Sequence, residues 1–212
     1  MELVIKKLKA ELQKTLPGEA AQYKMAPLGR TKNDYAAQAF LAYRSSAVMI
    51  LFCLDKDDKW FIPLTQRFSY QGAHSGQISF PGGKADLADL SLEETARREC
   101  YEEIGIKEDV EIVGSLTSLH IPVSGYLVAP FVGICKIKDP NFVASEREVQ
   151  AIIRLQINNL LANSIVSSGR MEVEGTNNFK IDAPYFDVDT YKIWGATAMI
   201  LNELREIIRP IF

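Results

Sequence analysis

The spacing of apolar and polar positions changes several times along the chain, and each change marks an element. Residues 2–14 mix charged and apolar side chains at helical spacing, which predicts an amphipathic helix ending near Pro17-Gly18. From there to about Ala37 no period is visible, so the stretch reads as a loop able to wrap the body. Residues 45–55, SSAVMILFCLD, form a continuous apolar run, the mark of a buried strand. DKDDK breaks that run as a polar turn, and WFIPLTQR continues as its hairpin partner. Helical spacing returns at residues 92–104, where Leu92, Ala96, Cys100 and Ile104 make an apolar stripe. Ser91 and Glu94 form an S-x-x-E capping box at its start, and Gly105 stands where a left-handed C-terminal residue is wanted. Strands follow at 110–116 and 126–137, the second interrupted by Pro130. A short helix is placed at 155–163, a β excursion at 171–192 with turns at 175–178 and 187–189, and a closing helix at 194–208. These elements alone give α/β or α+β.

Composition narrows the class. A chain of 212 residues, 47% of them hydrophobic, suits one soluble domain with a substantial core. The net charge of −3 is spread without a basic stripe, which argues against nucleic acid as a partner. No apolar run reaches the roughly 18 residues that a membrane helix needs, and residues 1–15 do not read as a signal peptide. Cys53, Cys100 and Cys135 sit in apolar contexts, which points to a reducing, cytoplasmic setting without disulfides or a zinc site.

The candidate chemistry lies on the helix at 92–104. Glu99, Glu102 and Glu103 stand three and four apart, so they crowd one face. Like charges at that spacing cost only about 0.2–0.5 kcal/mol per pair, so a solvated acidic face would explain them without a metal. Their ordered company changes the reading: Gly82-Gly83 upstream, the capping box, Arg98 directly before Glu99, and Gly105 behind. Hard oxygen donors in this setting suit Mg²⁺ or Mn²⁺ held against a phosphate.

This stretch resembles the Nudix box, G-x5-E-x7-R-E-U-x-E-E-x-G-U, with U aliphatic. Gly83, Arg98, Glu99, Glu102, Glu103, Gly105 and Ile106 fit the pattern. Asp89 stands at the early Glu position, separated from Arg98 by eight residues rather than seven. The resemblance implies an α/β/α sandwich with a mixed sheet. Residues 1–36 would be an N-terminal helix and connecting segment and 37–212 the Nudix domain, within one compact body. It implies that Glu99, Glu102 and Glu103 ligate the metal and that Arg98 orients them by pairing with Glu102. The general base would be Glu103 or a glutamate of the later ASEREV segment, Glu146 or Glu148, which are equally well read as exposed loop acids.

Residues 63–83, PLTQRFSYQGAHSGQISFPGG, are similar to a further signature of the coenzyme A pyrophosphatase branch of that family. Leu64, Thr65, Arg67, Gly76, Phe80, Pro81, Gly82 and Gly83 match in order and spacing, and His74 and Gln77 match its H-x-G-Q. Gly72 stands where the signature has an arginine, a bidentate phosphate binder. Arg67 or a lysine is the expected compensation. The implied reaction is cleavage of the diphosphate in coenzyme A or acyl-coenzyme A, giving 3′,5′-ADP and 4′-phosphopantetheine. ADP-ribose, another nucleoside diphosphate derivative or a nucleoside triphosphate is the alternative substrate, and a non-catalytic nucleotide sensor the second alternative. Arg67, His74, Gln77, Gly82, Gly83 and Tyr126 are the implied substrate contacts, with the glycines letting backbone approach the diphosphate. His74 is read first as a loop anchor, His120 as structural, and Trp194 and Tyr126 as core aromatics before stacking platforms. The N-terminal and closing helices could pack within the body or across a homodimer.

Overall fold

A computed structural model of the chain describes residues 1–30, 43–68, 77–106, 109–173 and 179–212. The main sheet is built on two long strands, β1 (Arg44–Leu54) and β7 (Tyr126–Lys138), paired in parallel from Arg44↔Tyr126 onward. All other pairings are antiparallel: β2 (Trp60–Arg67), β3 (Ile78–Ser79) and β4 (Gly82–Lys84) on one side, β5 (Val110–Ser115) and β6 (Leu119–Ile121) on the other, with β8 (Val149–Gln156) on β2.

β1 and β2 are paired only at Cys53↔Phe61 and Leu54↔Trp60. Beyond that point they part, and residues 78–84 fill the gap, β3 bonding to β2 and β4 to β1. This splay point is where Gly82-Gly83 enters the sheet.

Alternation along β1 divides the core between two faces. Ala47, Met49, Leu51 and Cys53 share a buried cluster with Ala96, Cys100 and Ile104 of the helix α3 (Leu92–Ile104). Ile50 and Phe52 belong to the other cluster, with Leu201, Leu204 and Ile208 of the closing helix α5 (Gly195–Ile208). Each large aliphatic side chain fully buried this way contributes about 1.5–3 kcal/mol. The expected α/β/α sandwich around a mixed sheet is the fold. A second, three-stranded sheet, β9 (Val166–Val173), β10 (Phe179–Val188) and β11 (Tyr191–Trp194), leads into α5.

The N-terminal helix α1 spans Glu2–Leu12. The stretch expected as loop after it holds a short helix, α2 (Gly18–Gln22), and a 3₁₀ turn, Tyr23–Met25. Both are fastened to α5: Glu203, fully buried, accepts from Gly18 N (3.1 Å), Gln22 Nε2 (2.8 Å) and Thr117 Oγ1 (2.7 Å), and Asn202 donates to Ala21 O (2.8 Å). β8 was not expected, although Val149, Ala151, Ile153 and Leu155 alternate with polar positions save at Ile152; α4 (Ile157–Leu161) follows it directly. Pro130 does not interrupt β7. Its carbonyl accepts from Leu116, so its missing N–H falls on the edge where the partner changes from β6 to β5. The turn expected at 175–178 lies outside the described residues. Among the described residues, no helix is long and apolar enough to cross a membrane.

Candidate active site

The helix α3 starts and ends where its caps predict. Ser91 Oγ accepts from Glu94 N (3.2 Å), and Gly105 adopts φ +78°, donating to Tyr101 O. Only half of the capping box forms, because the Glu94 carboxylate takes the Leu90 N–H (2.9 Å) instead. With the apolar stripe against β1, Glu99 and Glu103 are turned into the body and Glu102 outward, its side chain 54% exposed. The expected trio therefore does not close into a cage. Among the described residues, no three acidic, cysteine or histidine side chains are set as a ready metal site.

Arg98 is shared among several acids. It donates to Glu99 Oε1 (2.8 Å) and Glu102 Oε2 (3.1 Å), as the sequence suggests for Glu102. Its fuller pairing is with Asp89, through Nε (3.0 Å) and Nη2 (2.9 Å). Asp89 also accepts from Thr95 Oγ1 (2.8 Å) and Asp86 N (2.9 Å), and the Arg98 guanidinium holds its carboxyl well below the usual range. A turn at 86–89, where Asp89 N bonds Asp86 O, sets the Asp89 carboxylate beside Arg98 although eight residues, most of them in the first turns of α3, separate the two.

Glu103 is only 1% exposed and sits under β2, where alternation puts Thr65 and Arg67 on one face. Thr65 Oγ1 (3.2 Å) and Arg67 Nη2 (3.2 Å) both donate to it, and Arg67 also donates to Gly82 O (3.1 Å). Burial pushes the Glu103 carboxyl up to about 7, with Arg67 opposing and the Glu99 charge adding to the rise. Burial likewise pushes Glu99 up; Arg98 resists, while Glu102 and Glu148 add to it. Glu148 is thus within the field of Glu99. The loop carrying it hangs from α3, Ser145 N bonding Glu103 O (3.0 Å) and Glu148 N bonding Ser145 O (3.2 Å). Among the described residues Glu148 forms no salt bridge.

The two glycines make close approaches to the chain itself. A Cβ at Gly82 would stand 2.5 Å from Ala47 O and 2.7 Å from Val48 Cα, and one at Gly83 would stand 2.5 Å from the Glu99 Cδ. Gly82 lets β4 seat on β1; Gly83 leaves room for the Glu99 carboxylate.

Beside them opens a cavity of about 790 Å³. Arg67, Gln77, Gly82, Gly83 and Lys84 line one part of it, Tyr126 and Trp194 another, and Leu28, Ile121, Val123 and Ile181 make much of the remaining wall apolar. Of the expected substrate contacts, Arg67, Gln77, Gly82, Gly83 and Tyr126 are therefore brought together, while His74 lies outside the described residues. Tyr126 also carries the Arg44 guanidinium 4.3 Å from its ring centroid. His120 is buried in β6, edge-on to Tyr43. Sequence reasoning missed the Asp89 clamp and the Thr65 contact; the i, i+2 spacing of Thr65 and Arg67 on a strand was the signal for the second.

Residues 43–160, more than half of the chain, match the profile described as the NUDIX domain. The chain belongs to the Nudix family. A Nudix hydrolase of Yersinia pestis (strain Pestoides F), NudL, named as uncharacterized, is 35% identical over 144 residues, covering 68% of this chain and 70% of that protein. NudL of Yersinia pseudotuberculosis serotype O:1b (strain IP 31758) matches to the same extent. Among solved structures, a MutT/nudix family protein from Enterococcus faecalis is similar with a TM-score of 0.54 at 14% identity, covering 85% of this chain and 70% of that one, a likeness of fold. This Nudix chain is accordingly a hydrolase. Its α2 segment, second sheet and closing helix lie outside the matched region.

The donor set of this Nudix site fits a hard divalent cation. Asp89, Glu99, Glu102, Glu103 and Glu148 outnumber Arg67 and Arg98, and two of the acids are buried with charges that disfavour one another. Such a surplus of buried carboxylate is relieved by a cation or by protons.

Proposed function

We propose that this Nudix hydrolase is a Mg²⁺- or Mn²⁺-dependent pyrophosphohydrolase that cleaves the diphosphate of coenzyme A or acyl-coenzyme A to 3′,5′-ADP and (acyl-)4′-phosphopantetheine. The observation that carries the reading is the strand Gly82-Gly83, which backs the Glu99 carboxylate and also lines a roomy, largely apolar cavity. A pantetheine arm or acyl chain suits such walls, and a diphosphate suits the end where Arg67 and Lys84 stand.

Glu99 and Glu103, with Glu102 after a turn of its side chain, would hold the cation. When bound there, a divalent ion supplies charge neutralisation for phosphate oxygens and an acidified water. Arg98, held by Asp89, keeps Glu99 and Glu102 in register. Arg67 and Thr65 fix Glu103, so a mobile carboxylate does not have to be ordered during the reaction. Glu148 is the base in this reading, since Glu99, Glu102 and Glu103 are engaged by arginines, and Glu148 rather than Glu146 acts on Glu99. Tyr126 and Trp194 offer ring faces for a base in the cavity.

The replacement of the signature arginine by Gly72 favours a second reading, in which the substrate is ADP-ribose or another nucleoside diphosphate derivative. Incubation with coenzyme A and Mg²⁺ followed by product analysis separates the two. Release of 4′-phosphopantetheine is expected; much faster turnover of ADP-ribose than of coenzyme A would overturn the substrate assignment. Retention of Glu99, Glu102 and Glu103 argues against a non-catalytic sensor.

A further inference from the structure

The cavity carries a cation that the Nudix-matched region does not supply. Arg30 follows the 3₁₀ turn, outside residues 43–160, and lines the cavity wall. One Nη donates to His120 O, and the guanidinium carbon lies 5.9 Å from the Tyr23 ring centroid. Its Nε is buried and has no hydrogen-bond partner among the described residues. A buried guanidinium N–H without an acceptor is a costly arrangement that an anionic ligand would relieve.

The segment bearing Arg30 is tied down. Leu28 N bonds Asp182 O (2.8 Å), Arg30 N bonds Pro27 O (3.1 Å), and the helix before it is fastened by Glu203 and Asn202. Arg30 is therefore a fixed part of the wall. Its position relative to Gly83 follows from the sheet: β4, β1, β7 and β6 are consecutive neighbours. Gly83 on β4 and His120 on β6 are three strand spacings apart, about 14 Å. Arg67 is not the cation for this place, because its contacts with Glu103 and Gly82 hold it at the β4 end. Lys84 belongs to the β4 end.

We infer that Arg30 binds a second phosphate of the substrate, a phosphomonoester on the nucleotide's sugar, separate from the diphosphate that is cleaved. It is a specificity-determining residue supplied from outside the family domain. The placement of the scissile diphosphate at Gly83 rests on the function proposed above; the binding of a sugar phosphate by Arg30 does not, and it is tested without turnover.

Calorimetric titration of the full chain with 3′,5′-ADP and with 5′-AMP reads the effect directly, using the parent, Arg30→Gln and Arg30→Lys. The parent should bind 3′,5′-ADP about tenfold more tightly than 5′-AMP, or better, as one charged hydrogen-bonded pair allows. Arg30→Gln should bring that ratio close to one, and Arg30→Lys should keep part of it. A parent without the preference, or a ratio unchanged in Arg30→Gln, overturns the inference. A parent that shows the Arg30-dependent preference yet releases no 4′-phosphopantetheine from coenzyme A supports the inference while refuting the substrate proposed above.

Discussion

Gly82 and Gly83 are neighbours on one short strand, and replacing each by alanine should do opposite things. At Gly83 the new methyl would stand 2.5 Å from the Glu99 Cδ and Oε1 and 2.6 Å from Oε2. Ordinary contact begins near 3.4 Å, so the carboxylate must retreat by roughly 1 Å. A side-chain end can make that move, so Gly83→Ala should change stability by less than about 1 kcal/mol, the smaller entropy of the unfolded chain offsetting part of the strain. The same retreat takes Glu99 out of line with Glu103, and a displacement of that size at a reacting centre costs about a hundredfold in rate. At Gly82 the obstacles are Ala47 O at 2.5 Å and Val48 Cα at 2.7 Å, both backbone atoms of a central strand. They cannot withdraw without spreading β1 from β4, so Gly82→Ala should cost about 3 kcal/mol of stability. Urea unfolding and steady-state turnover at saturating Mg²⁺ measure the two effects. Equal loss of stability in the two variants, or full turnover in Gly83→Ala, would refute the reasoning.

Other outcomes follow from the same geometry. Glu103→Gln should lower kcat by at least about a hundredfold, with a thermal unfolding midpoint within a few degrees of the parent; equal turnover of the two proteins would remove Glu103 from the mechanism. Arg67→Ala should lower kcat as well as raise KM, because Arg67 is the cation paired with buried Glu103; a rise in KM alone would mean that its contact with Glu103 is idle. Glu203→Ala should destabilise the protein by about 3 kcal/mol, the cost of leaving several donors unpaired around a lost buried carboxylate, and urea unfolding with limited proteolysis of the N-terminal segment would show it. Chelation of divalent ions should abolish turnover without unfolding the chain, with Mg²⁺ restoring it; activity that persists in excess chelator would contradict the metal-dependent reading.

The helix at 92–104 was legible because three independent local signals agree on it: the Ser91 cap, the Leu92–Ala96–Cys100–Ile104 stripe and Gly105. The buried strand at 45–55 was legible from its unbroken apolar run, which matches a strand covered on both faces. β8 carried a usable signal that went unread: Val149, Ala151, Ile153 and Leu155 alternate with polar positions, broken only at Ile152, and its pairing with β2 makes it a strand. At the site, the order of Gly, Arg and Glu residues pointed to one helix and one strand, and the fold sets the two against each other at Gly83 and Glu99. It could not show that Glu102 faces solvent or that Arg98 answers chiefly to Asp89. The roles of Arg67 and Glu203 depend on partners 36 and 185 residues away, and no local pattern encodes such contacts. The glycine pair was read as open backbone for a ligand; much of its closeness is to Ala47, Val48 and Glu99.

The most direct measurement is the anomalous diffraction of a crystal soaked in Mn²⁺. The predicted result is a peak within coordination distance of both Glu99 and Glu103, next to the Gly83 strand. A peak elsewhere, or none while Arg98 and Arg67 remain closed on those two carboxylates, would contradict the assignment of the metal centre.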